Sequence, residues 1–205
     1  MEKKQKVEVQ GIDIQFLEAN IKGLSSLLYG KPTEQAIQNI KDKKSGKTVQ
    51  KEKIQNIDKE VKEGTYFMGN GDFAFPVDGF KKGMWDIADQ IGRYKKDVKG
   101  VFNILGEEGN LITINCEKHK VNDRFIPRAG CIKYANELIN WSAKLKINYD
   151  ASIISPYEIF NLLNRAGFHR GIGAFSPKNG GCYGMYKVVK WYKKKKYTEQ
   201  EKVHQ

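Results

Sequence analysis

The stretch Trp141-Ser142-Ala143-Lys144-Leu145-Lys146-Ile147-Asn148-Tyr149 alternates apolar and polar side chains without a break. Successive side chains of a strand point to opposite faces, so Trp141, Ala143, Leu145, Ile147 and Tyr149 line a core-facing side and Ser142, Lys144, Lys146 and Asn148 a polar one. Just beyond it a helix announces itself. Ser155 is a good N-cap, Pro156 suits the first helical position, and Glu158 completes a capping box. Ile159, Leu162, Leu163 and Ala166 form its apolar stripe, and Gly167 fits the stop. A loop follows in which Gly171, Gly173, Gly180, Gly181 and Gly184 place five glycines in fourteen residues, and then a last strand from about Cys182 to Trp191.

Upstream, the same reading continues in reverse. Leu111 to Cys116 and Val98 to Leu105 read as two strands joined by a turn through Gly106-Glu107-Glu108-Gly109. From Asp78 a helix carries Phe80, Met84, Ile87 and Ile91 on one face, with Gly92 as its stop. Gly69-Asn70-Gly71-Asp72 is a turn signal before a short extended stretch with Phe73 and Phe75. A first strand is expected where Val7 and Val9 alternate with polar residues and Ile12, Ile14 and Phe16 resume on the other parity. The flip at Gln10-Gly11 suggests a bulge.

That order predicts an α+β, ferredoxin-like βαββαβ antiparallel sheet with helices on one face and room for an extra hairpin. Residues 31–64 stand apart: fifteen of thirty-four are charged and none is aromatic. They read as a charged, mobile surface insertion with short helical pieces around Ile37 and Ile40 and around Ile54, Ile57 and Val61. One domain over 1–192 is expected, followed by a basic, disordered tail over 193–205.

The chain has 205 residues, 40% of them hydrophobic, which excludes wholesale disorder, and a formal charge of +12. The excess is uneven. Residues 1–30 are balanced, 31–64 carry nine basic and six acidic groups, 65–185 sixteen and twelve, and 186–205 seven and two. A polyanion partner and a merely solubilising lysine end both fit the last segment. Three cysteines without a close pair, Cys116, Cys131 and Cys182, argue against a disulfide framework or a zinc site and read as small core residues. From an N-terminus without an apolar signal region, and no long apolar run, a soluble protein of the cytoplasm is expected.

Catalytic signatures are scarce: there is no Walker A loop, HExxH or GxSxG. Asp72, Asp78, Asp86 and Asp89 read as solvated surface carboxylates that Lys81 and Lys82 can pair, rather than as a two-metal centre. His169, between the second helix and the glycine loop, is the one candidate general base, and an exposed loop histidine is the alternative. The glycine loop carries more information. Its backbone amides can approach phosphate oxygens, with Arg170 and Lys178 adding charge and Phe175 or Tyr183 adding stacking, although glycines that merely make turns explain it equally well.

The stretch from Ala166-Gly167-Phe168-His169-Arg170-Gly171-Ile172-Gly173 through Gly180-Gly181-Cys182-Tyr183-Gly184-Met185-Tyr186-Lys187-Val188 resembles the helix, glycine-rich loop and last strand of RAMP proteins. These are the ferredoxin-like RNA-binding components of CRISPR effector complexes. The same stretch, with Phe75-Pro76, Phe80-Lys81 and the run from Trp141 to Ser155-Pro156, also resembles a group of poorly characterised phage and prophage proteins, over residues 7–17 and 65–190. The resemblance implies a nucleic-acid-binding fold of phage origin, in the host cytoplasm, with the glycine loop at the binding surface. Ser176-Pro177-Lys178-Asn179 lengthens that loop beyond the RAMP pattern, and no RAMP nuclease residue maps onto the chain.

The expected activity is non-enzymatic binding of single-stranded RNA or DNA. Phosphates would meet Lys81, Lys82, Lys144, Lys146, Arg170 and Lys178, and the backbone of Gly171, Gly173 and Gly181. Phe175 and Tyr183, with Tyr186 as a further candidate, would supply stacking. A second reading is an anti-CRISPR or anti-defence protein that docks on a host nucleoprotein complex by mimicking a RAMP subunit. A third is a metal-independent ribonuclease using His169. Self-association into a homo-oligomer or filament stays open, and no cofactor, metal or membrane is expected.

Overall fold

The computed structural model describes residues 11–47, 56–126 and 131–194. In chain order the elements are β1 (Ile14–Gly23), β2 (Leu27–Leu28), α1 (Glu34–Lys44), α2 (Ile57–Glu63), β3 (Tyr66–Phe67), β4 (Phe73–Pro76) and α3 (Val77–Asp86). They continue with α4 (Lys95–Val98), β5 (Phe102–Leu105), β6 (Leu111–Asn115), β7 (Lys118–Ile126), β8 (Cys131–Ile139), β9 (Ser142–Asp150), α5 (Pro156–His169) and β10 (Tyr186–Lys194).

The main sheet runs β10-β1-β9-β6-β4-β3, with β5 also lying against β9, and every pairing in it is antiparallel. The first and third strands of the repeat, β1 and β9, occupy the centre, with β10 on one flank and β5 and β6 on the other. With α3 and α5 as the two crossovers, this is the ferredoxin-like arrangement. The apolar faces agree with the pairing. Leu17, Ala19 and Ile21 of β1 and Leu145 and Ile147 of β9 are buried together with Phe80 and Met84 of α3 and Ile159, Leu162, Leu163 and Ala166 of α5. Each large side chain so buried contributes about 1.5–3 kcal/mol.

Local chemistry sets the boundaries. Ser155 Oγ accepts from Glu158 N at 3.2 Å while Glu158 Oε2 accepts from Ser155 N at 2.9 Å, closing the capping box. Gly167 is not the stop: α5 continues to His169, and an added Cβ at Gly167 would lie 2.2 Å from Tyr186 O, so the glycine serves close packing against β10. After α3 a short 3-10 turn over Ala88–Ile91 ends at Gly92, whose φ of 77° is the left-handed stop expected there.

Several expectations shift. Ile12 and Ile14 are exposed at 74% and 50%, and β1 buries Leu17, Ala19 and Ile21 instead. Its register break lies between Asn20 and Ile21, opposite β10, and the part of the expected strand at Val7 and Val9 lies outside the described residues. β5 and β6 do not form a ladder with each other. They lie end to end along β9, Phe102–Leu105 opposite Tyr149–Lys146 and Ile114–Asn115 opposite Ala143–Ser142. The last strand begins at Tyr186 rather than Cys182, because Gly184 (φ 66°) and its neighbours belong to the packed loop.

The extra hairpin exists as β7–β8, which joins β2 in a second, three-stranded sheet. The charged segment supplies α1, without a buried residue, and α2, which buries Val61. Asn136 Nδ2 donates to Thr65 Oγ1 at 2.9 Å, and Thr65 donates to Val61 O at 2.7 Å, tying α2 to the hairpin. Among the cysteines, Cys116 is half-buried and packs against the core, whereas Cys182 is exposed and is not the small core residue expected. The side chain of Cys131 lies outside the described ones. Lys193 and Lys194 belong to β10, and residues 195–205 lie outside the described residues.

Candidate nucleic-acid interface

The sheet face turned away from α3 and α5 is assembled by register. β1 pairs Lys22 with Ser142 and Lys187, Asn20 with Lys144 and Lys190, Glu18 with Lys146 and Tyr192, and Phe16 with Asn148 and Lys194. Cross-strand partners share a face. Three strands thus gather Lys22, Lys144, Lys146, Lys187, Lys190 and Lys194 about Glu18, with Asp150, opposite Ile14, as the other carboxylate at the end of β9 and Phe16 and Tyr192 as the aromatic members. Tyr192 is 39% exposed, and Lys190 Nζ lies 5.0 Å from its ring centroid.

Glu18 organises the middle of this face. It is 6% exposed, with Lys194 Nζ at 2.8 Å and Lys144 Nζ at 3.6 Å. Burial alone would raise its carboxyl, but the two ammonium groups outweigh that and hold it below the ordinary carboxylate value. The carboxylate therefore stays charged and fixes two lysines in place.

The other expected residues lie elsewhere. Lys81 is on α3, on the helical side, where its Nζ donates to Asn103 Oδ1 at 2.6 Å and sits 5.5 Å from the Trp85 ring centroid. Lys82 is exposed on the same helix. Arg170 and Lys178 do not stand ready around the glycine loop: both bind Asp86 at the end of α3, Lys178 at 3.2 Å, and Lys95 joins them. Asp86 is consequently no solvated surface carboxylate. Its burial pushes the carboxyl up, and hydrogen bonds from Lys95, Arg170 and Lys178 more than reverse this, holding it well below the usual range.

The glycine loop is packed on itself. Gly171 N donates to Ala166 O and Gly181 N to Ser176 O, so two of the three amides expected to face phosphates are already satisfied, and Gly184 N likewise donates to Ser26 O. An added Cβ at Gly173 would lie 2.4 Å from Leu28 O, at Gly181 1.9 Å from Phe175 O, and at Gly184 1.8 Å from Ile172 O. Backbone crowding, rather than a ligand, requires these glycines. Phe175 has a left-handed φ of 49° and lines a pocket of ≈ 240 Å³ with Tyr29, Lys31 and Tyr134. Tyr183 is half-buried, its N–H donating to Phe175 O at 3.1 Å, and Tyr186 is fully buried.

His169 is exposed at the end of α5, its ring 5.3 Å from that of Phe168. Among the described residues no three His, Cys, Asp or Glu side chains group so as to hold a metal ion, and no helix is long and apolar enough to cross a membrane. The lysines that register adds to Lys144 and Lys146 were hidden in the sequence. Lys187, Lys190 and Lys194 fall on the polar face only because the break at Asn20/Ile21 resets the pairing of β10.

No known protein family and no curated protein matches the chain. Among solved structures, one of the similar chains belongs to the cryo-EM structure of the Type III-B Cmr-beta bound to cognate target RNA. It is 12% identical with a TM-score of 0.57, over 89% of this chain and 61% of that one. This likeness is one of fold, and the present chain spans about three fifths of its counterpart's length.

Proposed function

We propose that the protein is a non-enzymatic binder of single-stranded nucleic acid, with the face of β1, β9 and β10 opposite the helices as its platform. The observation that carries this reading is the concentration of six lysines, Phe16 and Tyr192 on a face whose carboxylates are the internally neutralised Glu18 and, at the end of β9, Asp150. Lysines on a flat face meet phosphates without reading sequence, and an exposed ring accepts any base. A flat sheet accommodates splayed bases of a single strand better than the closed grooves of a duplex.

Fluorescence anisotropy with single- and double-stranded RNA and DNA over a salt series tests the proposal. The full chain, a chain ending after Lys194, and Lys144→Ala/Lys190→Ala are compared. Single strands bind more tightly than duplexes, and the double variant loses about tenfold or more in affinity. The slope of log affinity against log salt shrinks by about 0.7 for each phosphate contact removed. Equal or tighter duplex binding, or an indifferent double variant, overturns the platform. Loss of all binding on truncation assigns it to the terminal residues.

A second reading has the protein, phage-encoded, occupy a RAMP-like position in a host nucleoprotein complex. The shared fold with a chain of an RNA-loaded assembly supports it. Absence of binding to every free oligonucleotide favours this alternative.

A further inference from the structure

We infer that a bound single strand does not stop at the margin of the lysine face but turns over the β5 edge and continues to the end of α3 on the helical side. The inference rests on the platform proposed above. It follows from a chain of contacts, each leading to the next. Register places Leu105 opposite Lys146 and Asn103 opposite Asn148, so β5 extends the face to its margin. There Asn103 accepts the 2.6 Å hydrogen bond from Lys81, which reaches round from α3. A concavity of ≈ 370 Å³ opens at this corner, lined by Lys81, Asn103, Leu105, Gly106, Asn110 and one carboxylate, Asp78, which accepts from Asn110 Nδ2 at 3.5 Å. It has the dimensions of a small-ligand pocket where one nucleotide can sit at the bend, its phosphate toward Lys81 and away from Asp78.

Past the corner, Trp85 is flanked by two cations, Lys81 at 5.5 Å and Lys99 at 5.7 Å from its ring centroid. The next residue is Asp86, on which Lys95, Arg170 and Lys178 converge. Three positive charges on one carboxylate leave two unbalanced. Anionic ligands are attracted to such an excess, and the half-exposed Lys95 and Lys178 can swing from the carboxylate to a phosphate without leaving Asp86 uncompensated, because Arg170 remains. The half-buried Trp85 gives the same stretch an aromatic surface beside its cations. Lysines that the fold puts on the helical side thus extend the platform rather than form an unrelated patch.

The test uses the full chain with oligouridylates of about 4 and about 12 nucleotides, lengths bracketing a small single-strand platform. Wild type, Lys95→Ala/Lys99→Ala, Trp85→Phe and Lys144→Ala/Lys190→Ala are compared by anisotropy and tryptophan fluorescence. The longer oligomer is expected to bind more tightly. Lys95→Ala/Lys99→Ala weakens it about tenfold while leaving the shorter one unchanged. The longer oligomer quenches tryptophan emission in wild type, and Trp85→Phe abolishes that quench without changing affinity for the shorter. If both lengths bind equally and Lys95→Ala/Lys99→Ala changes neither, while Lys144→Ala/Lys190→Ala still weakens both, the extended path is overturned and the platform stands. If wild type binds neither length, both are overturned.

Discussion

At Gly184 the chain has a φ of 66° and no room for a side chain, since an added Cβ would lie 1.8 Å from Ile172 O. Gly109 is a useful contrast, with a φ of 61° and nothing within 4 Å. Alanine at Gly109 incurs only the backbone cost of about 1–2 kcal/mol, whereas alanine at Gly184 adds a backbone overlap and costs more. Urea unfolding is expected to show a clearly lower midpoint for Gly184→Ala than for Gly109→Ala, and equal midpoints would remove the packing explanation. The density of glycine in this loop was visible in the sequence, but its cause was not. A glycine that lets a ligand approach and one that lets the chain's own carbonyl approach are identical until the neighbour is known. Arg170 and Lys178 were hidden for the same reason, because their partner Asp86 is distant in sequence and adjacent only after folding.

Among elements, β9 and α5 were legible, the stop of α5 excepted, because each satisfies a local rule by itself: strict alternation in one, cap and apolar stripe in the other. Ser155→Ala removes the hydroxyl that accepts from Glu158 N, leaving only the backbone half of the capping box, and is expected to cost about 1 kcal/mol, seen as a lower unfolding midpoint. Ser155→Asp should retain most of the stability, and a loss as large as that of alanine would mean the cap contributes little. β7 and β8 were illegible because β8 buries Asn136, Glu137 and Leu138 in succession. Glu137 accepts from Asn122 Nδ2 at 2.7 Å and pairs with Lys120 at 3.5 Å, so a polar network replaces the apolar alternation that identifies a strand. β1 was displaced because Ile12 and Ile14 mimic the pattern just ahead of the residues that are buried.

Over the whole molecule, carboxylates are held by cations at several separate places. Glu18, Asp86, Glu137 and Glu158 all lie below their ordinary values, in each case because charged or hydrogen-bonding neighbours outweigh the effect of burial. Groups depressed in the folded state stabilise it above their unfolded values, near pH ~4, and that contribution disappears as pH falls from there toward the folded values. The urea midpoint is therefore expected to be level from about pH 7 to about pH 5 and to fall below about pH 4, with Asp86→Asn showing a shallower fall. An acid profile unchanged in Asp86→Asn would mean that the cation cluster does not contribute. The lysine face belongs to this scale too, being a product of register between segments far apart in the chain. The outermost strand, β10, has a further consequence. Edge strands invite a second copy to pair, yet antiparallel self-pairing here would crowd Lys187, Lys190, Lys193 and Lys194 against their own kind, and the Val188 N–H is already taken by Asn164 Oδ1 at 3.1 Å. Self-pairing along this border is therefore disfavoured by like charge, and if the proposed function holds, a polyanion laid across it would remove that repulsion, making close approach of neighbouring copies conditional on the strand they share.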